Sequence, residues 1–177
     1  MLKEVNLYRD MAVSEMKIGF GVDVHAFAPD RDLLLGGVNI EYHMGLKGHS
    51  DADVLIHSVC DAILGAAGLG DIGDHFPDTD DQYKGISSRI LLAHCAKLLA
   101  GTGYEIANVD CVVFAQAPKL GPHKKEMGRI MAGILGLGAD QVNVKATTTE
   151  KLGFIGKKEG IAAQTTLLVT RIPGNKE

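Results

Sequence analysis

The sequence contains no tryptophan, and aromatic residues make up only 5% of it. A platform that stacks unpaired bases needs successive aromatic rings, so single-stranded nucleic acid is excluded as a partner. Neither sign of charge dominates. Lys and Arg number 18 against 22 Asp and Glu, a net charge of −4, which offers no general field for polyanions and leaves room only for a local anion site. The three cysteines, Cys60, Cys95 and Cys111, are odd in number, widely spaced and form no C-x-x-C, which argues against a disulfide framework and for a reducing, cytoplasmic compartment. The longest apolar stretch, Ile90–Ala100, is short and interrupted by His94 and Lys97, so no membrane partner is expected. The opening MLKEVNLYRDMAVSE has no apolar core and carries acids; it reads as a loose extension over residues 1–15 and not as a secretory signal. No Ser-His-Asp or Cys-His arrangement stands out.

What is present suits one compact unit. The chain has 177 residues, 46% hydrophobic and 23% charged, which excludes disorder and coiled coil. One domain is expected over residues 16–172, with a short tail at 173–177. Alternation of Ile18, Phe20, Val22 and Val24 marks a strand over Lys17–His25. Leu33–Leu35 and Val38–Ile40 flank Gly36-Gly37, a two-residue hairpin signal. Ser50-Asp51-Ala52-Asp53 resembles a capping box, and a helix is expected from there to about Gly68. A glycine- and aspartate-rich loop follows over Gly68–Lys84, then a helix over Gly85–Ala100 and a strand over Tyr104–Ala115. A helix over Lys124–Leu135, a short strand over Val142–Ala146 and a final strand over Gly160–Thr170 complete the chain. Interleaved strands and helices predict an α+β or α/β class, with a single mixed sheet covered by helices on one face.

Four segments carry chemistry. Asp23-Val-His25 ends the first strand, where residues i and i+2 share a face, so a carboxylate and an imidazole can converge on a borderline metal such as zinc or form a plain hydrogen-bonded pair. His49 and His57 compete as third ligand. His57 has Asp53 and Asp61 four residues to either side on one helix stripe, which reads either as carboxylates steadying a ligating imidazole or as ordinary helix solvation with capping. His49 lies in the loop before the cap, better placed for substrate. Gly68-Leu-Gly-Asp-Ile-Gly73 fits G-x-G-x-x-G but follows a helix and precedes an acidic loop, so it is not a dinucleotide fingerprint. The acids beyond it lack the Gly and Glu of a calcium loop; with Phe76 they read as a substrate-closing flap or a solvated turn. Ala146-Thr-Thr-Thr-Glu150-Lys151 follows a strand and is expected to open a short helix, as a phosphate cradle with Glu150 for a hard divalent cation, or as a simple helix cap. Ala115-Gln-Ala-Pro-Lys-Leu-Gly-Pro122 can present main-chain groups to a base edge with Lys119 near a phosphate, or form a solvated basic turn.

Taken in order, these segments resemble the 2-C-methyl-D-erythritol 2,4-cyclodiphosphate synthase family of the non-mevalonate isoprenoid pathway. The carrying residues are Asp23-Val-His25, Leu35-Gly-Gly-Val38, His49-Ser-Asp-Ala-Asp-Val54 with His57, Asp61–Ala67, Gly70–Gly73, Phe76–Asp80, Asn108-Val-Asp110, Ala115–Lys119 and the run Val142–Phe154. The resemblance spans about residues 16–170 and implies a lyase that turns 4-diphosphocytidyl-2-C-methyl-D-erythritol 2-phosphate into the cyclic diphosphate and CMP. It implies zinc on Asp23, His25 and His57, magnesium or manganese at Glu150, and Thr148 beside the reaction. It places the erythritol phosphate near His49, Ser50, Asp71, Gly73, Phe76 and Asp78. The cytidine diphosphate end falls against Ala115, Pro118, Lys119, Leu120, Gly121, Ala146, Thr147 and Thr148, with Phe154 also counted among the binding residues. It further implies a homotrimer with sites between subunits. A cavity on the trimer axis could admit an isoprenoid diphosphate; Lys157 stands there where Arg is frequent, and Val22 where Phe is frequent.

Overall fold

The computed structural model describes residues 16–172; the expected extension at 1–15 and the tail at 173–177 lie outside the described residues. Seven strands and five helices follow one another as β1 (Met16–Ala28), β2 (Leu33–Leu35), β3 (Val38–Ile40), β4 (Gly45–Leu46), α1 (Val54–Ala67), α2 (Ile72–His75), α3 (Ser88–Gly101), β5 (Tyr104–Phe114), α4 (Lys124–Leu135), β6 (Val142–Thr147), α5 (Gly153–Gly156) and β7 (Gly160–Arg171). Five strands form one sheet in the order β4-β1-β7-β5-β6. Only β5 and β6 run parallel; the other pairs are antiparallel, so the sheet is mixed as expected.

Strand alternation decides which face is covered. Along β1, Gly19 and Gly21 are buried, and Asp23 and His25 are half-buried. The apolar set that marked the strand in the sequence points the other way: Ile18 is 71% exposed and Phe20 57%. The glycines are buried because α1 lies directly on them. A methyl at Gly19 would meet the Ala62 carbonyl oxygen, and one at Gly21 the Ser58 carbonyl oxygen. Helix and strand therefore touch backbone to backbone, which only glycine permits.

Helix α1 packs on β1 and β7, α3 packs on α1 and β5, and α4 packs on β6 and α3, so the helices share one side of the sheet. Val54, Leu55, Ile56, Val59, Cys60, Ala62, Ile63 and Leu64 are all buried; α1 is apolar around its circumference because it is sandwiched. Each such Leu or Ile contributes roughly 1.5–3 kcal/mol.

The β2–β3 hairpin turns on Gly36 and Gly37, both at positive φ, as its two-residue loop requires. Its main-chain amides are held from a distance. The Asp53 carboxylate accepts from Gly36 N at 2.9 Å and Gly37 N at 2.6 Å, and also from Ile56 N at 3.0 Å. Asp53 is thus the N-cap of α1, three residues later than the expected cap at Ser50.

Two other expectations change. The loop expected over Gly68–Lys84 contains α2, capped by Asp71, whose side chain accepts from Asp74 N while the Asp74 side chain accepts from Asp71 N. The Ala146–Lys151 segment does not open a helix. Glu150 and Lys151 both take positive φ, and α5 begins only at Gly153.

Candidate metal centre and substrate clefts

Asp23 and His25 share the helix-facing side of β1, and His57 lies in the first turn of α1, which the paired glycines bring against that strand. The three meet at hydrogen-bond distances. Asp23 Oδ2 is 2.8 Å from His25 Nε2 and 3.0 Å from His57 Nδ1, and the two ring nitrogens are 3.2 Å apart. Donors about 2.0–2.1 Å from a tetrahedral zinc stand about 3.3 Å from one another, so the triangle is close to that size. Among the described residues, this is the group whose ligand atoms converge so.

The environment matches. His25 Nδ1 sits 2.5 Å from the Lys47 carbonyl oxygen, which can only accept, so that nitrogen carries a proton and the neutral ring turns a lone pair on Nε2 toward Asp23 and His57. Burial by itself raises Asp23 and lowers His25. The contacts reverse both: the imidazoles bring the Asp23 carboxyl well below the usual carboxylate range, and Asp23 draws His25 above its ordinary value. Two imidazoles and one carboxylate are a donor set that can hold a divalent metal ion and leave a position open.

A cleft of about 500 Å³ opens on this triad. It is lined by the expected His49, Ser50, Gly73, Phe76 and Asp78, and also by Gly48, Ile72, Pro77, Tyr83, Ile86 and Leu91. Phe76 is held edge-on against Tyr83 and His94 at ring separations of 5.4 and 5.3 Å. Asp71 does not line this cleft; its carboxylate is engaged as the α2 cap.

The aspartates flanking His57 in sequence do not hold its ring. Asp53 is turned into the hairpin, as above, and Asp61 accepts from Ile72 N at 2.8 Å, tying α2 to α1. Burial raises the Asp61 carboxyl, with further upward pushes from Asp71 and Asp23. His57 Nε2 instead meets Ser88 Oγ at 2.9 Å and Ser50 Oγ at 3.1 Å. Ser88 lies 31 residues away at the start of α3, and nothing in the sequence near His57 points to it.

A second cleft, of about 300 Å³, lies at the ends of β5 and β6. Ala115, Pro118, Lys119, Leu120, Gly121, Ala146, Thr147 and Thr148 line it as expected, joined by Gln116, Pro122 and Lys124. Gln116 Oε1 accepts from Lys151 N at 3.1 Å, so the proline loop, with its cis Ala117–Pro118 bond, is tied to the threonine loop. Glu150 stands beside the cleft, accepting from Thr148 Oγ1 at 2.6 Å, exposed on its outer side. Phe154 and Lys157 are exposed on and just after α5 and line neither cleft.

The model of the YgbB family matches residues 16–170. The 2-C-methyl-D-erythritol 2,4-cyclodiphosphate synthase of Parabacteroides distasonis is 53% identical over 158 residues, covering 89% of this chain and 98% of the relative. Among solved structures, the Plasmodium falciparum IspF CDP complex superposes with a TM-score of 0.80 at 35% identity, covering 91% of this chain and 99% of the other. The bifunctional IspDF of Campylobacter jejuni gives a TM-score of 0.86 at 51% identity over 89% of this chain, which spans 43% of that larger protein.

Proposed function

The chain belongs to the YgbB family of 2-C-methyl-D-erythritol 2,4-cyclodiphosphate synthases, and on that premise we propose that it closes 4-diphosphocytidyl-2-C-methyl-D-erythritol 2-phosphate into the cyclic diphosphate, releasing CMP. The observation that carries this reading is the convergence of Asp23, His25 and His57 at 2.8–3.2 Å on the wall of a cleft of phosphate-sugar size.

The substrate's 2-phosphate attacks the β-phosphorus of its own diphosphate, the bond to the bridging oxygen breaks, and that oxygen leaves on CMP. A phosphate monoester has a second pKa of ~6, so the nucleophile is largely ionised at neutral pH and needs no base from the protein. That fits a site without a nucleophile–base pair. The obstacle is repulsion: two unit charges ~4 Å apart cost ~4 kcal/mol at an effective dielectric of ~20. Asp23, His25 and His57 would hold zinc and Glu150 magnesium or manganese, supplying positive charge to offset that repulsion and to stabilise the leaving phosphate. The protein's own part is positioning. Lys119 and Thr148 steady the cytidylyl phosphates, main-chain groups of Ala115–Gly121 face the base, and His49, Ser50, Gly73, Phe76 and Asp78 wrap the erythritol phosphate so that the chain folds back on itself.

The CDP bound in the Plasmodium falciparum relative supports a cytidine diphosphate ligand for the second cleft. A homotrimer with sites between neighbours is supported by the uncovered sheet face, where Ile18, Phe20, Val22 and Val24 are all about half exposed or more. A cavity on that threefold axis would be the place for an isoprenoid diphosphate, where Lys157, in place of the frequent Arg, cannot supply a bidentate phosphate fork. No described helix is long and apolar enough to cross a membrane. The three free, buried cysteines suit the bacterial cytoplasm.

The competing chemistry in the same site is hydrolysis, with water as the attacking group. Product analysis separates the two. Cyclisation yields CMP and a ring diphosphate with no inorganic phosphate; a linear phosphorylated product would reject the cyclase reading.

A further inference from the structure

We propose that Asp51, acting through Ser88, is a positioning device that holds His57 in the one tautomer able to bind a metal through Nδ1; this rests on reading the triad as a metal site. The available protons decide the tautomer. The Ser88 hydroxyl donates to Asp51 Oδ1, since a carboxylate oxygen offers only lone pairs. Its single proton is thereby committed. Toward His57 Nε2, at 2.9 Å, Ser88 Oγ can therefore only accept, and Nε2 must carry the ring proton. In the neutral ring Nδ1 is then bare, and it is Nδ1 that faces Asp23 Oδ2 and His25 Nε2.

Nothing on α1 could do this work. The chain of bonds runs from the loop before α1, through the first residue of α3, and back into the first turn of α1. Ser88 is fully buried, so water does not compete for its hydroxyl. Asp51 is fixed at its other oxygen, which accepts from Ser88 N at 2.9 Å. That bond also serves the start of α3, whose own N-cap, Ser87, makes no side-chain capping bond. Ser50 Oγ, 3.1 Å from the same His57 nitrogen, accepts from Ala52 N and keeps its own proton, so it is the competing donor to Nε2, at a longer distance than Ser88. The arrangement parallels His25, whose Nδ1 proton goes to the Lys47 carbonyl.

The test is Ser88→Ala in the full chain. This change removes the hydroxyl and keeps the main-chain bond to Asp51, so α3 retains its anchor. Two quantities are read: the ring ¹⁵N signals of His57 in metal-free protein, and the zinc dissociation constant by competition with a chromophoric chelator. The wild type is expected to show a single Nε2–H tautomer, and Ser88→Ala a mixture of tautomers with zinc held roughly 10-fold more weakly or worse. Asp51→Asn should move both readouts the same way, with the melting temperature of metal-free Ser88→Ala nearly unchanged. A Ser88→Ala protein that keeps the single tautomer, or that binds zinc within twofold of wild type, overturns the proposal and leaves the metal site standing. A wild type that binds no zinc overturns the metal site and this proposal with it.

Discussion

His25 Nε2 stands 2.8 Å from Asp23 Oδ2 while the opposite nitrogen of the ring is held by the Lys47 carbonyl. Without a cation, the natural occupant of the space between them is a proton, and metal and proton compete for it. His25 is raised above its ordinary value, so its share of stability in the metal-free protein is full below about pH 6.5 and is lost as pH rises through the raised value. Asp23 is lowered, so its share is present above about pH 4 and is lost only in stronger acid. Metal-free protein should therefore melt highest between about pH 4 and 6.5 as far as this pair is concerned. Zinc affinity should run the other way, rising with pH until His25 has lost its proton. Calorimetric melting and chelator competition across pH 5–9 check both trends.

Gly21→Ala should cost at least ~2 kcal/mol, because the added methyl is driven into the Ser58 carbonyl and the Ala62 amide of α1, which are backbone atoms that cannot swing aside. Since His57 rides on α1 and Asp23 on β1, the same change should weaken zinc binding. Gly65→Ala, on the same helix with only the Phe20 carbonyl at 3.8 Å, should be harmless by urea unfolding and by zinc titration.

Asp53→Ala should destabilise by about 3 kcal/mol or more, since Gly36, Gly37 and Ile56 would each be left with a buried, unpaired N–H. Urea unfolding of the variant measures the loss. Had Asp53 served His57 as its position in the sequence suggested, the principal effect would fall on metal affinity instead.

Much of the architecture was legible because local chemistry and tertiary structure agree. Gly36-Gly37 marks the hairpin at residue level, and α4 runs over Lys124–Leu135, the expected span, ending at Gly136. What the sequence left unread has a common cause. The cap of α1 falls on Asp53 and not Ser50 because two amides of a distant hairpin also need that carboxylate. The covered face of β1 is its glycine face because a helix from later in the chain lies on it, which no period of two can reveal. Of the site, the convergent residues Asp23, His25 and His57 and part of the lining of both clefts were named from the motifs and the family resemblance, whereas Asp71, Phe154 and Lys157 line neither cleft and Tyr83, Leu91 and Gln116 carried no signal. Ser88 could not be named either, since its role depends on where α3 begins.

The cysteines should be inert in the native state. Burial pushes the Cys111 thiol up to about 12 and Cys60 well above its ordinary value, and all three are buried and unpaired. At pH 7.5 the thiolate fraction at Cys111 is on the order of 10⁻⁴ or less. Iodoacetamide followed by mass spectrometry should find no labelling of native protein within hours and three labels after unfolding in urea.

The most direct measurement is metal content and CMP release for His57→Ala beside wild type, with circular dichroism to show that the fold persists. The expected result is stoichiometric zinc and cyclic product for the wild type, and for the variant little zinc with turnover reduced at least ~100-fold. A folded, zinc-free His57→Ala protein that releases CMP at the wild-type rate would contradict the assignment of the triad to the chemistry.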